Sequence, residues 1–340
     1  IISPVHPNRP DAEFDGIVAY QRIRMGNLYK RLFQKWTRLD PHSYLDRVIT
    51  YAKKINPAII HLHNAPYFVD NLKKQLPNIP LVLHMHNEKE VCFTREIDCL
   101  TGCSDYITQW FKEKSAPSKS FEVLANGVNT KKFFPQTKAQ QTVTRTYFKI
   151  PNNRFMVLFA GRISPEKGLD VLLDAFAHFP KNKFHLVIAG AWAKGDAQKN
   201  ERVAYGLKMK EKIEGLKENV TVLGGFSPEE MPAIYQLGDL LMIPSRFEEP
   251  FSMVAIEAMA SGIPVLALKR GGMVEYMKDH ENAYLLDPSI RDETLAKAIL
   301  EISTTPEKNC QIAAEARKMV EARFTWEAVS LATETLYQKV

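Results

Sequence analysis

The chain has 340 residues, of which 45% are apolar and 25% charged, with a net charge of +6. That is the make-up of a soluble globular protein with room for about two domains, and it excludes wholesale disorder and collagen-like sequence. The longest apolar runs, such as Phe155–Ala160 and Leu240–Ile243, fall far short of the roughly 18 residues that a membrane helix needs. The sequence opens on Ile1-Ile2-Ser3-Pro4 without Met, and no signal-peptide pattern follows. Cys92, Cys99 and Cys103 match no zinc-knuckle spacing, so reduced thiols of a cytosolic protein are expected, with a redox or metal role as the alternative. The excess of Lys and Arg lies in the first 135 residues. It suits an anionic partner, either a phosphorylated substrate or an anionic membrane surface; a merely solvated basic face is the plainer reading.

In chain order, strands are expected at Ala58–His63, Pro80–His86, Phe155–Ala160, Phe184–Ala189, Val220–Leu223, Leu240–Ile243 and Pro264–Leu268. These runs are almost wholly apolar rather than alternating, as in parallel strands covered on both faces. Amphipathic helices lie between them; Leu169–Phe179, for example, places Leu169, Leu172, Leu173 and Phe176 on one face. The repeated strand-then-helix pattern predicts an α/β fold of two doubly wound, Rossmann-like domains facing across a cleft. The polar stretch Pro135–Asn153 is read as the linker.

Two segments carry chemistry. In Gly161-Arg162-Ile163-Ser164-Pro165-Glu166-Lys167-Gly168, a strand ends and a helix begins, with Ser164 as N-cap and Pro165 as first helical residue. Lys167 then falls in the first turn, where a cation opposes the helix dipole. Arg162 and Lys167 could clamp a diphosphate, or simply be solvated. The second segment, Pro244 to Ala260, follows the strand Leu240–Ile243. Its helix is expected to start near Ser252, leaving the N–H groups of Ser252 and Met253 free for an anion. Glu249 then sits on the loop, and Glu257 roughly 7 Å along the helix. A diphosphate at the helix start, a ribose diol on Glu257 and a sugar hydroxyl on Glu249 make a coherent nucleotide-sugar site. The alternative is an N-terminal acid and a solvated helix Glu.

Histidines mark the first half. His86, at a strand end, could hydrogen-bond a sugar or the reacting centre, or could serve packing. His61 and His63 are read as structural; their H-x-H spacing could suggest a metal, but no third ligand is evident in the sequence.

Taken in order, Asn126-Gly127-Val128-Asn129…Phe133, Gly161-Arg162…Lys167-Gly168, Pro244-Ser245…Glu249-Pro250-Phe251…Glu257-Ala258-Met259-Ala260-Ser261-Gly262-Ile263-Pro264-Val265 and Gly271-Gly272…Glu275 resemble the family 4 retaining glycosyltransferases, of the group 1 glycosyl transferases. The resemblance implies the GT-B architecture: an acceptor-side domain over 1–137, a nucleotide-sugar domain over 138–323, and a segment 324–340, opening Phe324-Thr325-Trp326-Glu327, that crosses back as a helix. It implies that Arg162 and Lys167 neutralise the diphosphate, Glu257 holds the ribose and Glu249 the donor sugar, with His86 near that sugar. Transfer would need neither metal nor cofactor beyond the nucleotide-sugar co-substrate, a UDP-sugar by default. Three features depart from the pattern. The family's opening strand and Gly-rich loop have no counterpart before Ile1, Ser252 stands where Gly is common, and Ala283 follows Asn282 where Gly is frequent.

The expected function is transfer of a sugar, with retention, to a hydroxyl acceptor in glycan, lipopolysaccharide or cell-envelope synthesis. The expected setting is the cytoplasm, with peripheral contact at the inner face of an anionic membrane. The missing opening motivates an alternative, a relative that binds nucleotide without turnover. An NAD-dependent oxidoreductase is disfavoured by the lack of GxGxxG, and a nucleic-acid partner by the lack of a reading motif.

Overall fold

The computed structural model describes residues 1–4, 10, 12–14, 18–23, 43–180, 182–196 and 198–340. Much of the opening of the segment 1–137 therefore lies outside the described residues. Within it, β1 (Ile2–Pro4), β2 (Ala12–Phe14) and β3 (Ala19–Ile23) form a small sheet in the order β1-β3-β2. A second sheet is all parallel, with β4 (Ile60–His63), β5 (Leu81–Met85), β6 (Cys99–Gly102) and β7 (Phe121–Val123) side by side. Every residue of β5 and β6 is buried, which is why β5 reads as an apolar run broken only by His84.

The third sheet holds β8 (Phe155–Ala160), β9 (Phe184–Ala189), β10 (Val220–Gly224), β11 (Leu240–Ile243), β12 (Val265–Leu268) and β13 (Tyr284–Leu286). All neighbours are parallel and the order is β10-β9-β8-β11-β12-β13. The chain runs outward from β8 to β10, then returns to the other side of β8 with β11. Connections from β8 and β11 thus diverge, opening a crevice beyond their carboxyl ends, the position where doubly wound sheets bind ligands.

Several local readings need correction. The stretch read as the linker contains a helix, Lys138–Tyr147, whose N-cap Thr137 forms a reciprocal capping box with Gln140. Its polar, Thr-rich sequence hides the helix from periodicity. The helix after Gly168 ends at Phe176 rather than Phe179. Lys167 lies not in that helix but at the end of a separate 3₁₀ turn, Pro165–Lys167. Gly168 then adopts φ 68° before the helix begins.

The carboxyl ends of the two larger sheets meet. Ser104, just past β6, caps the helix Asp105–Glu113 and lies against Gly272, where an added Cβ would come within 2.6 Å of it. Glu275 reaches across to accept hydrogen bonds from the backbone N–H groups of Asp105 (2.9 Å) and Tyr106 (2.7 Å). Those are free donors of a helix N-terminus, where a carboxylate is favoured by hydrogen bonding and dipole together. Phe251, Tyr276 and Phe324 pack in tilted and edge-to-face contacts around one another at the junction, with ring centroids 5.2–5.3 Å apart. From Phe324 the chain continues into the helix Trp326–Lys339, which packs on the first half: Tyr337 meets His61, and Lys339 pairs with Glu122. Gly127 lies so close beneath Trp326 that a Cβ would sit 2.7 Å from the indole.

Candidate functional site

The loop after β8 and the loop after β11 are bound to each other. Arg246 N donates to Glu166 O (2.9 Å), and Gly168 abuts the Pro244 carbonyl, where a Cβ would come within 2.0 Å. Only glycine fits there, because the φ is left-handed and the space is absent. This contact brings Lys167 Nζ to 2.7 Å from Glu249 Oε1, with Ser245 Oγ donating to the same oxygen. Lys167 also lies 4.6 Å from the Phe247 ring centroid. Glu249 is 4% exposed, so its carboxylate is out of water and the Lys167 ammonium compensates it there. Its backbone is pinned too, because Gly272 N donates to Glu249 O at 2.7 Å.

The other expected residues are placed as follows. Arg162 is largely exposed, and its nearest carboxylate partner is Glu166 at 3.8 Å, so its guanidinium remains open to an anion. Ser252 directly precedes the helix Met253–Ala260 but does not cap it through its side chain. It holds φ 67°, a region that favours glycine, so the Gly-to-Ser departure is more than a change of side chain. The first N–H groups of that helix have no partner within it. Glu257, in the second turn, is mostly buried, and burial pushes its carboxyl pKa up. Tyr235, fully buried, donates to Glu257 Oε2 at 2.8 Å and orients it. No sequence signal marked Tyr235, which sits on a short helix without a motif.

His86 lies across the crevice, one residue beyond β5, and makes its contacts within the first half. Its N–H donates to Asn64 Oδ1 (2.9 Å), and its Nε2 lies 3.2 Å from His63 Nδ1. It belongs to a group of four imidazoles. His63 pairs with His84 across β4 and β5, and His61, His63, His84 and His86 share one sheet face, each two residues from the next on its strand. Burial lowers all four pKa values, to about 3 for His61 and about 2 for His84, so these rings are neutral near pH 7. In the sequence no third ligand is evident beside His61 and His63; strand register supplies His84. The H-x-H repeat at His84 and His86 was the available signal.

Two Rossmann-like sheets facing across a crevice, with paired charges at the strand-order reversal, define a GT-B-type protein. The structure aligns with sucrose-phosphate synthase from Thermosynechococcus elongatus at TM-score 0.80 and 24% identity, over 99% of this chain and 87% of that one. It aligns also with Alr3699/HepE from Anabaena in complex with UDP and glucose, at TM-score 0.76 and 23% identity, over 93% and 85%. Residues 140–319 match the model of the glycosyl transferases group 1 family. The chain is 32% identical over 91% of its length to the lipopolysaccharide 1,2-N-acetylglucosaminetransferase of Salmonella typhimurium, covering 80% of that protein. It is 27% identical over 89% of its length to spore coat protein SA of Bacillus subtilis, covering 84% of it. The chain belongs to the glycosyl transferases group 1 family. Among the described residues, no helix is long and apolar enough to cross a membrane.

Proposed function

We propose that this protein is a retaining glycosyltransferase that moves a sugar from a nucleoside diphosphate donor to a hydroxyl of a glycan or lipid-linked acceptor. The observation that carries this reading is the Lys167–Glu249 pair at the strand-order reversal, on the loop that leads into the helix Met253–Ala260. Arg162, Lys167 and the N–H groups of Ser252 and Met253 bind the diphosphate. Glu257, oriented by Tyr235, accepts from the ribose hydroxyls. Glu249 accepts from a hydroxyl of the donor sugar through the oxygen that Lys167 leaves free, and His86 faces that sugar from the other wall.

As the glycosidic bond breaks, negative charge grows on the leaving diphosphate. Two cations and a helix N-terminus are aimed where that charge develops, which lowers the barrier without a metal ion at the diphosphate. The acceptor hydroxyl attacks from the face the diphosphate leaves, and a donor phosphate oxygen takes its proton. No further cofactor takes part. Support for a UDP-sugar comes from the UDP complexes of the Anabaena neighbour. Support for an acceptor in lipopolysaccharide or another cell-envelope glycan comes from the Salmonella relative. The protein works in the cytoplasm and docks peripherally on anionic lipid through its basic first half; it has no nucleic-acid partner.

The test is a transfer assay with UDP-sugars and truncated lipopolysaccharide acceptors, the product's anomeric configuration being read by proton NMR. The expected product keeps the donor's configuration, and added Mg²⁺ or Mn²⁺ leaves the rate unchanged. An inverted product would overturn the retaining assignment. Nucleotide binding without any transfer would favour a non-catalytic relative. Equal sedimentation with anionic and neutral vesicles would remove the membrane contact.

A further inference from the structure

We infer that His61, His63 and His84 form a binding site for a borderline-soft divalent transition-metal ion of the Zn²⁺ class. One nitrogen from each ring lies within 4.8 Å of the other two. A tetrahedral ion with bonds of about 2.0–2.1 Å spaces its ligands about 3.4 Å apart, so side-chain rotations of about 1 Å close the set.

The hydrogen bonds around the rings select the ligand atoms. His61 Nδ1 is 2.7 Å from Tyr337 Oη, while His61 Nε2 is buried without a partner. When Nδ1–H donates to that hydroxyl, Nε2 carries the lone pair, the tautomer a metal requires. His63 Nδ1 is likewise occupied by His86 Nε2, which leaves His63 Nε2 free and makes His86 an orienting residue rather than a ligand. His84 is 3% exposed; the Leu124 backbone acts on its ring, but neither ring nitrogen has a hydrogen-bond partner within 3.5 Å. Buried polar side chains are almost always hydrogen-bonded, so a buried imidazole without a close partner, beside two other imidazoles, has a ring nitrogen to offer a cation. Three neutral imidazoles suit Zn²⁺, Co²⁺, Ni²⁺ or Cu²⁺ and offer little to Mg²⁺ or Ca²⁺, which prefer oxygen ligands. His63 is exposed, which gives an ion its entry and leaves a fourth position to water. Through Tyr337 the bound ion also couples β4 to the helix Trp326–Lys339.

The experiment uses the full chain, free of any histidine tag and stripped with chelator. Titration with Zn²⁺ by calorimetry, and with Co²⁺ by visible absorption, is expected to show one ion per chain and tetrahedral d–d bands. His63→Gln, an exposed change that leaves the fold intact, should weaken Zn²⁺ at least tenfold, as should His84→Gln. His280→Gln, remote from the cluster, should leave affinity unchanged. Zn²⁺ should raise Tm in the wild type and not in His61→Gln/His63→Gln. Failure of the stripped wild type to bind Zn²⁺ at micromolar concentration, or equal affinity in His63→Gln, overturns the site. A UDP titration of the same variants reports on the donor site separately.

Discussion

Lys167 and Glu249 lie 82 positions apart in sequence, yet Nζ and Oε1 are 2.7 Å apart where the loops after β8 and β11 meet. The pair is mostly dry, with side-chain exposures of 21% and 5%. Removing one partner of such a pair leaves an uncompensated charge and costs about 3–5 kcal/mol. Lys167→Met should therefore lower unfolding stability in urea by that amount and weaken UDP binding. Lys167→Met/Glu249→Gln should recover most of the stability but none of the binding. Recovery of both would mean that the pair is structural only.

Gly168 and Gly272 each meet a backbone carbonyl where a Cβ would stand, at 2.0 Å from Pro244 O and 2.2 Å from Pro250 O. Alanine at Gly168 adds left-handed strain to that overlap, and roughly 2–4 kcal/mol of destabilisation is expected. Gly272→Ala should instead separate the loop after β11 from Ser104, so its signature is protease sensitivity between the halves. Wild-type denaturation midpoints in both variants would refute the close approaches.

Ser252 offers a gain. Relieving a non-glycine residue at φ 67° outweighs the extra chain entropy of glycine by roughly 0.5 kcal/mol. Ser252→Gly should raise Tm slightly, and Ser252→Val should lower it. The reverse order would show that the side chain has a role of its own.

Asp98 accepts from Leu81 N and pairs with Lys73 at 3.0 Å and Lys119 at 2.6 Å, tying β5 to the start of β6. The Lys119 and Lys73 hydrogen bonds and that N–H outweigh burial and hold the carboxyl at about 2, below its usual 3.8. Because the folded pKa is the lower one, its stabilisation is complete above about pH 4 and is lost as pH falls toward 2. The shift is worth about 2–3 kcal/mol by linkage. Asp98→Asn should be less stable than wild type at pH 6, with the gap closing near pH 2. A pH-independent gap would assign the effect to packing.

The parts of the fold legible in the sequence are those buried on both faces. β8 and β11 coincide with unbroken apolar runs, and β9 with one interrupted only by His185, because a central parallel strand meets hydrophobic cover above and below. β6 was not legible: Cys99-Leu100-Thr101-Gly102 is equally buried but spells no apolar run. β7 and β13, three residues each, are too short for any periodicity. At the site, the loop residues stood in motifs, whereas the pairing of Lys167 with Glu249, the support of Glu257 by Tyr235 and the gathering of four histidines depend on strand order and register. Neither is written locally.

The central claim is a nucleoside diphosphate site at the crevice, and calorimetric titration of the full chain with UDP, GDP and ADP tests it most directly, beside Glu257→Ala. Micromolar binding of UDP, lost in Glu257→Ala while the variant keeps its fold, is the predicted result. Binding of none of the three nucleotides, or equal UDP affinity in the variant, would contradict it.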